Sequence, residues 1–141
     1  MIVYAESSAL LASWMRQAAG AAVGQLLSGA EQHVTSDLTR VECGRAFLRA
    51  ARLGAISLAK LAALERQAQE VWAATQVLAF TSVVVERART GYALEPLRTL
   101  DALHLAFYEQ ARRLFPGIAM LSLDERVREA ARALGGPVLP E

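Results

Sequence analysis

Val3–Met15 reads VYAESSALLASWM, and it sets three strand-forming residues against a carboxylate, two hydroxyls and a helical pattern. Val3 and Tyr4 suit a pleated, buried backbone. From Ser8 the apolar residues follow helical spacing. Glu6 stands at the junction, where a short side chain is the usual helix cap and Glu is a poor one. A strand that ends in an acid and turns at once into a helix belongs to α/β architecture. The rest of the chain decides whether that acid is incidental.

Outward from this stretch, Ile2–Ala5 is expected as a short buried strand, with helices over Ser8–Gln17 and Ala21–Leu27 punctuated by Gly20 and Gly29. HVTS, from His33 to Ser36, is expected as a second strand, and a helix starting at Ser36 or Asp37 runs to a stop at Gly54. Ser57 opens another helix, where Leu58, Leu61, Leu64, Ala68, Val71 and Trp72 form an apolar stripe. QVLAF is a third strand, and Ser82 to Gly91 holds a short helix. LRTLDALHLAFYEQARRLF is a helix whose start is apolar nearly all round, which implies burial. IAMLSL is a fourth strand, DERVREAARALG the helix after it, and GPVL a short last strand. Strand and helix alternate, with crossovers long enough for parallel pairing. The fold class is therefore α/β, a central parallel β-sheet flanked by α-helices. No repeat, low-complexity tract or linker interrupts it, so residues 1–141 are expected to form a single domain.

Composition narrows the function classes. A hydrophobic fraction of 54% in 141 residues supplies a sizeable core and excludes a disordered chain. A net charge of +1 argues against bulk electrostatic capture of nucleic acid and leaves local patches open. Fourteen of the fifteen basic residues are Arg, the better residue for bidentate contacts to phosphate or carboxylate. The single cysteine, Cys43, cannot form an intrachain disulfide and reads as a small core residue in a reducing compartment. One Cys and two His supply no structural zinc set. No apolar run is long enough to span a membrane, and MIVYAESS lacks a basic segment ahead of an apolar one. A cytoplasmic protein with no membrane association is expected.

Four acids stand at comparable places. Glu6 follows the first strand, Glu42 lies in the first turns of the helix after the second, Asp101 opens the buried helix, and Asp124 follows the fourth strand. Ligands of such folds sit beyond the C-terminal strand ends, so these acids are expected near one sheet edge. Each also has a structural explanation, hardest to find for Glu6, a long acid in a tight strand-to-helix turn. Asp124 and Asp37 suit helix caps, Asp101 suits a helix N-terminus, and Glu42 could pair with Arg45 one turn on. Taken together, converging carboxylates repel, and a divalent cation removes that conflict. Oxygen ligands suit Mg²⁺ or Mn²⁺, which accept phosphate oxygens and acidify bound water.

The ordered set VYAESSALLASWM, TSDLTRVECGRAF, LRTLDALHLAFYEQA and MLSLDERVREAARALGGPV resembles, nearly end to end, PIN-domain ribonucleases, in particular the VapC toxins of bacterial toxin–antitoxin pairs. The resemblance implies a PIN fold and a Mg²⁺- or Mn²⁺-dependent endoribonuclease with Glu6, Glu42, Asp101 and Asp124 as metal-site acids. It also implies a homodimer and a cognate antitoxin protein as partner. Ser8 matches the hydroxyl after the first acid, and Ser122 the small polar position two before the last. One departure is Glu6, where the family most often has Asp. The extra methylene moves the carboxylate by roughly 1.5 Å, and Mg²⁺ is strict about geometry.

Arg45, Arg49 and Arg52 share a helix face with Glu42, either as a row of phosphate contacts or as a solvated face. Arg98, just before the Asp101 motif, is placed to approach an RNA phosphate or to neutralise the acids. His104 reads as a histidine hydrogen-bonded inside the core, and Trp14 and Trp72 as core or interface anchors. Any exposed part of the Leu58–Trp72 stripe suits an antitoxin helix or a dimer partner. Glu6 also motivates a second reading, a catalytically weak PIN-like module that binds RNA or protein. A phosphatase-like enzyme is disfavoured, because no Asp-x-Asp pair is present.

Overall fold

The structure is a computed structural model describing residues 1–141. Its elements are β1 (Ile2–Ala5), α1 (Ser7–Trp14), α2 (Gly20–Gly29), β2 (Gln32–Ser36), α3 (Asp37–Arg52), α4 (Leu58–Ala74), β3 (Gln76–Leu78), α5 (Ser82–Arg89), α6 (Thr99–Leu114), β4 (Ala119–Leu121), α7 (Glu125–Ala133) and β5 (Val138–Leu139). The five strands pair in parallel in the order β3-β2-β1-β4-β5. The expected α/β class and central parallel sheet are therefore what the chain adopts.

Strand order reverses at β1. The chain first builds outward through β2 and β3, then returns to lay β4 on the other side of β1. The seam between β1 and β4, in register Tyr4↔Met120 and Ala5↔Leu121, is thus the topological switch point. Glu6 leaves the end of β1, and its backbone N–H bonds Leu121 O across that seam at 3.0 Å.

Alternation along β1 assigns its side chains to opposite faces. Tyr4 joins the larger core with Leu105, Phe107, Tyr108 and Val127, under α5, α6 and α7. Val3 and Ala5 face clusters built from α1, α2, α3 and α4, among them Ala9, Leu10, Val23, Phe47 and Leu64. Trp14 is buried, its ring 5.9 Å from Phe47 and 5.5 Å from Trp72, so the tryptophans are packing residues. Cys43 is fully buried in the same cluster, as expected. The α4 stripe is buried at Leu64 and Ala68, while Leu58 is exposed.

Several boundaries differ from expectation: α2 takes in Gly20 and Gly29, expected as its punctuation, and the fourth strand is confined to Ala119–Leu121. α1 ends at Trp14 rather than Gln17, and Arg16 follows with φ 52°, a turn that lets α2 cross the end of α1. There the two backbones approach so closely that a Cβ on Gly20 would collide with the Ala12 carbonyl oxygen. The third strand ends at Leu78, short of Phe80, whose ring instead packs edge-on against Phe107 at 5.0 Å. Gly54 stops α3 as expected, with φ 72°.

Candidate metal and nucleic-acid site

Glu6 is the N-cap of α1 after all, accepting the Ser8 backbone N–H at 3.1 Å. Its longer side chain succeeds because hydroxyls enclose it. Ser7 Oγ donates to Oε1 at 2.5 Å, Ser122 Oγ donates to Oε2 at 2.8 Å, and Ser8 Oγ also bonds Oε2. The carboxylate is only 3% exposed. Ser8 Oγ further accepts the backbone N–H of Leu123 at 2.8 Å and of Asp124 at 3.2 Å. That one hydroxyl ties the β1–α1 turn to the β4–α7 turn.

Glu42, on the second turn of α3, points toward Glu6. Its Oε1 accepts Ser7 Oγ at 3.2 Å and meets His104 Nε2 at 2.5 Å. No Glu42–Arg45 ion pair forms, in contrast to the one-turn pairing considered from spacing. His104 is 2% exposed and lies 3.5 Å from Glu6 Oε1 as well. It does hydrogen-bond inside the protein, as expected, but its partner is a site acid. Burial opposes protonation of this ring. The Glu42 hydrogen bond and the charges of Glu6, Glu42 and Asp101 outweigh it, so its pKa stands above the ordinary histidine value.

Glu6, Glu42 and His104 bring one ligand atom each within 4.8 Å of one another, close enough to surround a cation. Asp101 and Asp124 stand outside that trio. Asp101 projects from the first turn of α6 and is 6% exposed, and its Oδ2 is buried without a hydrogen-bond partner. Burial, then the charge of Asp124, raises its pKa; the Arg98 backbone and the Arg98 and Arg126 guanidiniums oppose that rise. Asp124 caps α7, accepting the N–H groups of Arg126 at 3.0 Å and Val127 at 3.4 Å. Its capping role is therefore real. An oxygen-rich donor set with an orphaned buried carboxylate oxygen fits a hard divalent cation.

Arg45 and Arg49 line a groove of about 700 Å³ together with Ser7, Glu42, Leu53 and Leu100. Arg98 and Arg126 border a separate hollow of about 470 Å³. None of these four guanidiniums is in an ion pair, whereas Arg40, Arg87, Arg89, Arg128 and Arg132 are. Spacing alone missed Ser7, Arg126 and the orientation of His104. An ESS triplet and an i,i+3 step from Asp101 to His104 were the available signals.

The fold and the site have known counterparts. The PIN domain family model matches residues 3–133. Ribonuclease VapC46 of Mycobacterium tuberculosis is 32% identical over 142 residues, covering 97% of this chain and 95% of that protein. Ribonucleases VapC45 and VapC49 of the same species are each 29% identical over 139 residues, 99% of this chain and 95% of theirs. Among solved structures, a toxin–antitoxin complex from Klebsiella pneumoniae matches with a TM-score of 0.62 at 14% identity, over 98% of this chain and 96% of that one. PAE2754 from Pyrobaculum aerophilum matches with a TM-score of 0.61 at 23% identity, over 98% and 90%. The chain belongs to the PIN domain family, and within it to the VapC type. No helix is long and apolar enough to cross a membrane.

Proposed function

We propose that this protein is a Mg²⁺- or Mn²⁺-dependent endoribonuclease, the toxin of a toxin–antitoxin pair. The observation that carries the reading is the convergence of Glu6 and Glu42 at the β1–β4 switch point, together with the buried, unpartnered Oδ2 of Asp101 one helical turn before His104 on α6. The similarity to VapC ribonucleases supports it. Glu6, Glu42, Asp101 and Asp124 are the proposed metal-site residues, with Ser8 and Ser122 in support. A bound divalent cation supplies neutralisation of phosphate charge and acidification of water. The chain supplies the rest. The serine hydroxyls fix Glu6, and Arg45, Arg49, Arg98 and Arg126 offer unpaired guanidiniums to flanking phosphates.

The proposed partners are RNA, a cognate antitoxin protein and a second copy of the chain. Exposed apolar residues support the protein contacts: Val83 and Val85 on α5, and Leu53 and Leu100 at the arginine groove. A second reading, a weakly catalytic binding module, is favoured by one observation. Glu6 Oε2 is already engaged by two hydroxyls and a backbone N–H, leaving it little capacity for a cation. The deciding experiment is cleavage of a total RNA pool by antitoxin-free protein, with Mg²⁺ or Mn²⁺ and with chelator, beside Asp101→Asn. Metal-dependent cleavage lost in Asp101→Asn is the expected result. Cleavage that persists in chelator or in the variant overturns the proposed site.

A further inference from the structure

We propose that His104 is a positioning residue. Its Nε2–H holds the Glu42 carboxylate against Glu6, ready for a cation, and the ring is not itself a ligand. This rests on the metal-site reading above.

The two glutamates are held very differently. Glu6 is locked by Ser7, Ser8 and Ser122 whatever His104 does. Glu42 sits on a helix surface with its side chain 25% exposed, and its protein partners are Ser7 at 3.2 Å and His104 at 2.5 Å. Without the ring, nothing stronger than the Ser7 contact opposes a swing toward solvent or toward Arg45, one turn along α3 and lining the same groove. α6 delivers Asp101 and His104 three residues apart, on one helix face, so one buried helix fixes an acid and the holder of another.

The other ring nitrogen argues against ligation. Nδ1 is buried and has no hydrogen-bond partner. A ring that gave Nε2 to a cation would carry its proton on Nδ1, where no acceptor faces it. In the neutral ring with its proton on Nε2, the ring donates to Glu42 and leaves only a bare lone pair unpaired.

The test compares Mn²⁺ binding by calorimetry to the full chain, to His104→Gln, which keeps an N–H near the Nε2 position, and to His104→Leu, which keeps bulk alone. His104→Gln should bind within about threefold of the parent and His104→Leu roughly tenfold or more weakly, the scale seen when a group orienting a metal ligand is lost. Thermal melts report whether each variant is folded. Equal Mn²⁺ affinity in a folded His104→Leu overturns the proposal. So does imidazole nitrogen coupling in the pulsed EPR spectrum of the Mn²⁺-loaded parent. A long-range ¹H–¹⁵N spectrum of the metal-free parent provides an arm that needs neither metal nor the leucine variant. A protonated Nε2 whose signal moves in Glu42→Gln supports the proposal, and a bare Nε2 overturns it. A parent chain that takes up no Mn²⁺ counts against the nuclease reading, while this spectrum still decides the His104–Glu42 contact.

Discussion

Ser122 donates its hydroxyl to Glu6 at 2.8 Å across the β1–β4 seam, joining residues 116 positions apart in the chain. The bond lies at the one place where strand order reverses, so it couples the two turns that carry Glu6 and Asp124. Removing it should show in both stability and activity. Ser122→Ala is expected to lower stability by about 1 kcal/mol, the ordinary value of a buried hydrogen bond. Cleavage should fall several-fold, because Glu6 keeps its other partners but gains freedom. Chemical denaturation and single-turnover RNA cleavage measure the two effects. An unchanged cleavage rate would show that Ser8 and Ser7 suffice to hold Glu6.

The serine enclosure fits the longer acid. Glu6→Asp draws the carboxylate back by roughly 1.5 Å, away from Ser122 and from Glu42. Although Asp is the commoner family residue, the substitution should weaken Mn²⁺ binding here by about tenfold, or 1.4 kcal/mol. Calorimetric titration of both proteins checks this. Tighter binding by the aspartate would mean that the enclosure adjusts to the shorter side chain.

Cation binding should stabilise the fold by mass action. At a free Mn²⁺ concentration of about 100 times Kd the gain is about 2.7 kcal/mol, which for a chain of this size raises Tm by roughly 5 to 10 °C. Chelator should reverse the shift, and Glu42→Gln should remove most of it. Melting curves with and without Mn²⁺ provide the comparison, and a shift of full size in Glu42→Gln would exclude Glu42 as a ligand.

Alkaline stability follows from the tyrosines. Burial raises the pKa of all three, Tyr4, Tyr92 and Tyr108, and takes Tyr92 up to about 12. Between the unfolded value near 10 and those folded values, the native chain binds more protons than the unfolded one. Stability is therefore full below pH ~10 and falls as pH rises through that window. Absorbance at 295 nm should show almost no tyrosinate at pH 10 in the folded protein, and its appearance should coincide with loss of helical circular dichroism. Ionisation well before unfolding would show that the phenols are more accessible than their packing indicates.

Cys43 is fully buried, and burial, with the charges of Glu6 and Glu42, pushes its thiol well above the ordinary range. The folded protein should resist maleimide for hours and react fully in guanidinium, since the thiolate is the nucleophile. Rapid labelling of the native chain would reveal local opening of the cluster with Phe47 and Leu64.

Much of this molecule is legible in local sequence pattern. Strand-forming residues, helical spacing, capping hydroxyls and glycine stops act over a few residues, so β1, β2, the α3 stop at Gly54 and the buried α6 all follow from the chain alone. The acids at strand ends were visible for the same reason, and the parallel α/β rule gathered them at one sheet edge. Tertiary structure decided which groups meet. The same-helix rule suggests Arg45 as the partner of Glu42, but the folded chain brings His104 of α6 to it instead, 62 residues away. Likewise Glu6, a poor cap by local pattern, has its capping carboxylate held in part by Ser122, which arrives from just beyond β4. Asp101 lies buried with its Oδ2 unpartnered because α6 is enclosed around it, with the charge of Asp124 close enough to raise its pKa. Local pattern carries the backbone's preferences. The pairing of buried polar atoms depends on distances between distant segments, and only the packed chain sets those.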